Sequence, residues 1–342
     1  MGSQTELLDL YDISLLLNYE RITTEPLFRH ARLREIAYPG QDFKTVYLPP
    51  ASQFWKDDRR TGYLFDRPAH HTGKIDVNGP PDLPSNIIPD HLPKSDPLRS
   101  LTPKQLETAF WQGRAHDGCY KSVDLLQKFF AFFPPNTRLR IRHGLQGKKP
   151  GKEYITRVES RVILEVTLVN PKHTLLAMVQ PEGQMHISGE AHTMQHAVLG
   201  FTEGGPDDDL MSVLDLSSMQ FGDVGRGPGP RGQEPFALDT MDEFRARLEK
   251  VAEGKDDSRT KISHWMTPGK HERWLQLVAK KAKERWDRRE SGRWCGHCGA
   301  PLTVLKSCSG CQNAWYCDAD HQKLAWTFHK HYCKPLAPTS SN

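Results

Sequence analysis

Six of the seven cysteines in this chain of 342 residues lie between Cys295 and Cys333. They fall into pairs with two histidines: Cys295-x2-Cys298, Cys308-x2-Cys311, Cys317-x3-His321 and His329-x3-Cys333. Eight soft donors in four short pairs suffice for two tetrahedral zinc sites. The competing use of clustered cysteines, a disulfide framework, belongs to small secreted domains, whose precursors begin with an apolar signal. The opening "MGSQTELLDLYDISLLLNYE" carries acids early and has no uninterrupted apolar run. No stretch of the sequence is long and apolar enough to span a bilayer, and Glu6 stands where N-myristoylation requires Ser or Thr. The expectation is a reducing, intracellular setting, cytoplasm or nucleus, where this spacing favours metal.

A CxxC knuckle presents two sulfurs about 2.3 Å from a shared ion. An x3 gap sets two ligands one helical turn apart on one face. Loops or short hairpins are therefore expected over 295–311 and helical ligand supports over 317–333. A module of this size cannot build a core from apolar side chains alone, so the metals must supply its folding energy. Each site has a full set of protein ligands, which marks structural rather than catalytic zinc.

With Tyr316-Cys317 and Gln322 in the third element, and Trp326, His329 and Cys333 in the fourth, residues 295–333 resemble the MYND zinc finger family. The chain departs from that family at His321, where the sixth ligand is usually cysteine; imidazole is a competent replacement. The resemblance implies interleaved pairing: Cys295, Cys298, Cys317 and His321 around one zinc, Cys308, Cys311, His329 and Cys333 around the other. It also implies a protein-interaction platform, often for proline-containing peptides, with Trp315, Trp326 and Phe328 as candidate contact or packing residues. His297 and His331 break the pairing and are expected on the surface.

The remaining chain reads as α+β, a larger domain of mixed helices and antiparallel strands. Its expected division is a helical segment over 1–65, a proline-rich linker over 66–100, an α+β domain over 101–290, the finger over 295–333 and a disordered tail over 334–342. Seven prolines between Asp66 and Ser100 argue for a linker or an extended crossing. Leu7, Leu8, Leu10, Tyr11 and Leu15 to Leu17 mark a first helix over 7–20. Capping boxes at Thr102–Gln105 and Thr240–Glu243 open two more, and a helix from Cys119 toward Phe133 stops at Pro134-Pro135. "RVILEVTLV", "HTLLAMVQ", "QHAVLGF" and "MSVLDLS" read as strands. "GDVGRGPGPRGQEP" reads as irregular loop. The helix near 271–290 places Trp274, Leu277, Val278, Ala282, Arg285 and Trp286 along one side. Its other side is basic, but with a net charge of only +4 a solvated face explains it better than nucleic acid. Hydrophobic content of 37% and a mean hydropathy of -0.64 predict substantial loop.

The seventh cysteine, Cys119, opens a helix, where the dipole favours thiolate. His196 and Asp215 lie on two successive strands, and antiparallel neighbours can bring such a pair into hydrogen-bond reach. The order of cysteine on a helix, histidine on one strand and aspartate on the next is similar to papain-like and transglutaminase-like thiol enzymes. That resemblance implies Cys119 as nucleophile, His196 as base and Asp215 as its orienting group, in a hydrolase or acyl transferase with the finger for targeting. The alternative for Cys119 is a small buried hydrophobe. No glycine-rich cofactor loop supports a methyltransferase.

Overall fold

A computed structural model describes residues 6–46, 59–71, 74–143, 153–205, 208–267, 269–301 and 304–334. The expected tail lies outside them except for Lys334. In chain order the body begins β1 (Leu7–Asp9), α1 (Leu10–Ile22), β2 (Arg32–Ala37), β3 (Arg60–Asp66), α2 (Pro103–Ala115) and α3 (Cys119–Phe130). There follow β4 (Arg138–Arg142), β5 (Glu153–Arg157), β6 (Arg161–Pro171), β7 (Thr174–Gln180), β8 (Gln184–Ser188), β9 (Thr193–Thr202) and β10 (Leu210–Asp215). The body closes with β11 (Ala237–Thr240), α4 (Met241–Val251), β12 (Ala252–Ser263) and α5 (Glu272–Asp287). The finger adds β13 (Lys306–Ser307), β14 (Trp315–Tyr316) and α6 (Ala319–His329).

The architecture is α+β. An antiparallel sheet of order β11-β10-β9-β6-β12 forms its centre, flanked by β2-β3-β7-β8 and β1-β4-β5. Two pairings, β1 with β4 and β3 with β7, are parallel, so the body is not purely antiparallel. Both capping boxes form: Thr102 accepts from the amide of Gln105, and Thr240 from that of Glu243. The four expected strands are β6, β7, β9 and β10.

The first helix starts three residues later than its apolar pattern suggests, because Leu7–Asp9 pair with Arg138–Arg140. Asp9 caps α1 and also binds Arg140 at 2.7 Å and Arg142 at 2.8 Å, which pins the helix to the sheet. Every residue of α1 except Asp12 is buried, so it is a central helix rather than an amphipathic one. Its neighbours α3 and α5 share one apolar cluster with β4, β9 and β10, and Phe328 of the finger belongs to that same cluster.

Where 66–100 was expected as a linker or an extended crossing, its described residues run along the body: Ile87 and Leu98 are buried, and Asp82 sits between Arg29 at 3.2 Å and Arg114 at 3.6 Å. Within 1–65, β3 lies beside β7 across seven register pairs. On α5, Trp274, Val278, Ala282 and Trp286 of the side assigned from sequence are buried, whereas Leu277 is exposed and Leu275 is buried in addition.

Candidate metal centre and a buried thiol site

The ligands of the finger gather as two sets of four. In each set all donor atoms lie within 4.8 Å of one another. In the first, Cys295 Sγ stands 3.4 Å from His321 Nδ1, and Cys298 Sγ 3.7 Å from Cys317 Sγ. In the second, Cys308 Sγ stands 3.9 Å from Cys333 Sγ, and Cys311 Sγ 3.5 Å from His329 Nε2. A tetrahedron with zinc–sulfur bonds of about 2.3 Å and zinc–nitrogen bonds of about 2.0–2.1 Å has sulfur–sulfur edges near 3.8 Å and sulfur–nitrogen edges near 3.5 Å. The observed spacings are those edges, so the donor sets fit two structural zinc ions of Cys3His type. Three thiolates and a neutral imidazole leave each site with a net charge of about −1.

Local geometry follows from the sequence around each pair. The first knuckle turns at Gly299, whose φ of +79° is the left-handed region and whose Cβ position would lie 2.3 Å from the carbonyl oxygen of Leu15. Only glycine satisfies both demands. Asp318 caps α6 by accepting from the amide of His321 at 2.8 Å, which fixes the histidine in the first turn. His329 ends that helix, one turn before Cys333.

The finger is fastened to the body beside the first site. His297, expected on the surface, is fully buried and its Nε2 lies 2.7 Å from Glu107 Oε1 on α2. Glu107 lies within 4.8 Å of ring nitrogens of both His297 and His321, and its other oxygen accepts from Arg226 at 2.7 Å. Because His297 lies between Cys295 and Cys298, its bond to Glu107 holds the first knuckle, rather than a ligand ring, against α2. The Tyr11 hydroxyl lies 3.1 Å from the carbonyl of Gly296, and its ring stacks on Phe328 at 3.9 Å. Arg285 donates to the carbonyl of Gly299 at 2.5 Å, and Tyr332 to that of His143 at 2.8 Å. Sequence reasoning missed this seam because Glu107 and Tyr11 are distant in the chain and carry no local signal. His331 is half-buried at the finger's surface.

The structure brings the candidate thiol residues together as well. His196 Nε2 lies 2.8 Å from Asp215 Oδ2 across the antiparallel pair β9–β10. Asp215 Oδ1 accepts from both the amide and the hydroxyl of Ser217 at 2.8 Å. Gln220 Nε2 reaches His196 Nδ1 at 3.3 Å, a contact the sequence did not suggest. The Cys119 thiol, at the first residue of α3, instead meets the carbonyl oxygen of the neighbouring Gln195 at 4.0 Å, while both ring nitrogens of His196 face Asp215 and Gln220. Burial disfavours the charged imidazole, but the Asp215 carboxylate more than offsets it and raises His196 to about 10. Burial acts against the Asp215 charge too, and His196 holds it below the ordinary carboxylate value. Cys119, His196 and Asp215 are 3%, 1% and 4% exposed, and neither of two surface grooves, of about 550 and 260 Å3, is lined by any of them.

Interleaved Cys3His sites on two knuckles and one helix define a cross-braced, two-zinc finger. Residues 295–333 match the family described as MYND finger, so this segment is a MYND finger and the chain is a zinc-binding protein. No curated protein and no solved structure matches the chain.

Proposed function

We propose that the chain is an intracellular protein-interaction factor whose finger presents a rigid recognition surface to a polypeptide partner. The observation that carries this reading is that both zinc sites are closed by protein donors, which leaves the metals a structural role. The finger meanwhile keeps Trp326 44% exposed on a helix fixed by its ligands. Exposed aromatic area on a rigid support is what interface anchors require. The full-length, zinc-loaded chain used as bait should capture a partner. Trp326→Ala should weaken capture by about tenfold or more, the size of a typical aromatic anchor, while zinc content stays at two. Equal capture by both would remove the finger from the interaction.

A second reading is a thiol hydrolase or acyl transferase in the body, favoured by the His196–Asp215 pair at 2.8 Å and by Cys119, whose thiol sits against the carbonyl of Gln195, the residue before His196. His196 takes the Cys119 proton, and the sulfur attacks an acyl carbon so that a C–S bond forms as the bond to the leaving group breaks. His196 hands the proton to that group, and water or an acceptor nucleophile then breaks the C–S bond and releases the acyl group. Asp215 orients the imidazole throughout. Because the finger cysteines are held by zinc, Cys119 is the one free thiol, and iodoacetamide at neutral pH should label it in the folded state. His196→Gln should slow labelling at least tenfold, the low end of what a positioned proton-transfer group contributes. Labelling only under denaturing conditions would make Cys119 a core residue.

A further inference from the structure

The groove of about 550 Å3 runs along the seam where the finger meets the body. One wall is built from β14 and α6 with the residues after it, the other from the start of α1, β4, β5 and the end of α5. Arg140 and Arg142 on the body wall are paired with Asp9 at 2.7 and 2.8 Å, and with Glu153 and Asp12 at 3.9 and 3.4 Å. Arg293 and Lys334 are different. Both are exposed, and among the described residues neither has a carboxylate partner. Arg293 instead has its Cζ over the Trp315 ring, 4.1 Å from the centroid, and Arg289 lies over Trp286 at 4.7 Å. A guanidinium stacked on an indole keeps its in-plane N–H donors directed outward, pre-ordered to receive a carboxylate. Half-buried Trp294, Trp315 and Tyr332 give the same groove an apolar lining.

We infer that this seam groove binds an extended acidic peptide segment carrying a large apolar side chain. The inference rests on the interaction reading above and names its partner class. Charge argues against a nucleic acid: Asp9, Asp12 and Glu153 on the body wall already engage Arg140 and Arg142, and the two cations left, Arg293 and Lys334, are few for a continuous phosphate backbone. Separated carboxylates can meet Arg293 and Lys334 while avoiding those acids, and the apolar side chain lies on the tryptophans. The volume falls within the range that holds a ligand of drug size. The groove requires finger and body together, so neither part supplies it alone.

The test uses the intact, zinc-loaded chain and a fluorescein-labelled peptide of alternating aspartate and leucine, read by anisotropy. A lysine–leucine peptide serves as the charge control. The aspartate peptide should bind, and binding should weaken as salt rises. The double variant Arg293→Glu/Lys334→Glu should lower affinity by about a hundredfold, roughly tenfold per reversed exposed contact. Its zinc content and melting curve should match the unaltered chain. Undiminished binding by that variant, or equal binding of the lysine peptide, overturns the proposal. So does complete displacement by millimolar inorganic phosphate, which would make the groove a simple anion site. A captured protein partner retained by the double variant places recognition elsewhere on the finger and sinks only the groove. Failure to capture any partner, with peptide binding lost on charge reversal, sinks the wider interaction reading and leaves the groove.

Discussion

Replacing Cys295 by serine should lower the zinc content from two to one per chain and unfold the body together with the finger, in one transition. From sequence alone the finger reads as a separable tail, whose loss would leave the body mostly folded. The seam changes that expectation. Cys295 is fully buried, and the residues following it, Gly296, His297 and Gly299, bind Tyr11, Glu107 and Arg285 of the body. Without metal, His297 and Glu107 lose their fixed geometry. Glu107 and Arg226 would then hold a buried ion pair without its third member, an arrangement that is costly once broken. Structural zinc contributes about 10–16 kcal/mol in finger peptides, and whole domains are stable by about 5–15 kcal/mol. Even a fraction of the first figure transmitted through the seam is comparable with the second. Cys308→Ser should also lose one zinc but cost the body less, since the seam contacts of Gly296, His297 and Gly299 all belong to the other site. Zinc analysis combined with far- and near-ultraviolet circular dichroism melts distinguishes the two. A Cys295→Ser chain with one zinc and an unchanged body transition would show that the finger is an appendage after all.

What was legible in the sequence was local. The capping boxes at Thr102 and Thr240 are short-range hydrogen-bonding patterns, and both helices begin where those patterns place them. The zinc ligands were legible for the same reason, since each pair fixes its own loop or turn. Strands β6 and β9 carry apolar runs long enough to stand out, whereas β12 does not. Its sequence "AEGKDDSRTKIS" shows no alternation because it is an edge strand, exposed along most of its length and ordered by backbone bonds to β6. The burial of His297 and the all-round burial of α1 are tertiary facts. They depend on what packs from elsewhere, and no window of sequence contains that neighbour. On α5 the stripe of Trp274, Val278, Ala282 and Trp286 was legible, but Leu277 at its margin is exposed while Leu275 and Ala279 are buried, because the helices α1 and α3 packed on it set where the stripe ends.

The pair of His196 and Asp215 should be the most pH-sensitive element of the body. Its two partners shift in opposite senses. His196 is raised from 6.5 to about 10, so its contribution to stability is whole below pH 6.5 and is lost as pH climbs through 10. Asp215 is lowered from 3.8, so its contribution is whole above pH 3.8 and is lost as pH falls through its depressed value. The pair therefore stabilises most between about pH 4 and 6.5, and stability declines above that window by up to about 1.4 kcal/mol per pH unit. Glu234, pushed up to about 8 by burial, adds a decline of the same sign below pH 8. Above pH 8 the remaining slope belongs to His196, and zinc release, which needs protonated ligands, does not intrude there. Asp215→Asn should flatten that slope and cost about 3–5 kcal/mol near pH 6, the usual penalty for stranding one member of a buried ion pair. The paired change His196→Leu/Asp215→Leu should recover most of the loss, because two apolar groups leave no charge stranded. Urea melts at pH 6, 8 and 10 measure both effects. An Asp215→Asn chain within about 1 kcal/mol of the parent at pH 6, or one keeping the parent's slope from pH 8 to 10, would mean that His196 is neutral in the folded protein. A neutral imidazole there is poised to accept the Cys119 proton, and the same melts thus report which protonation state the thiol site starts from.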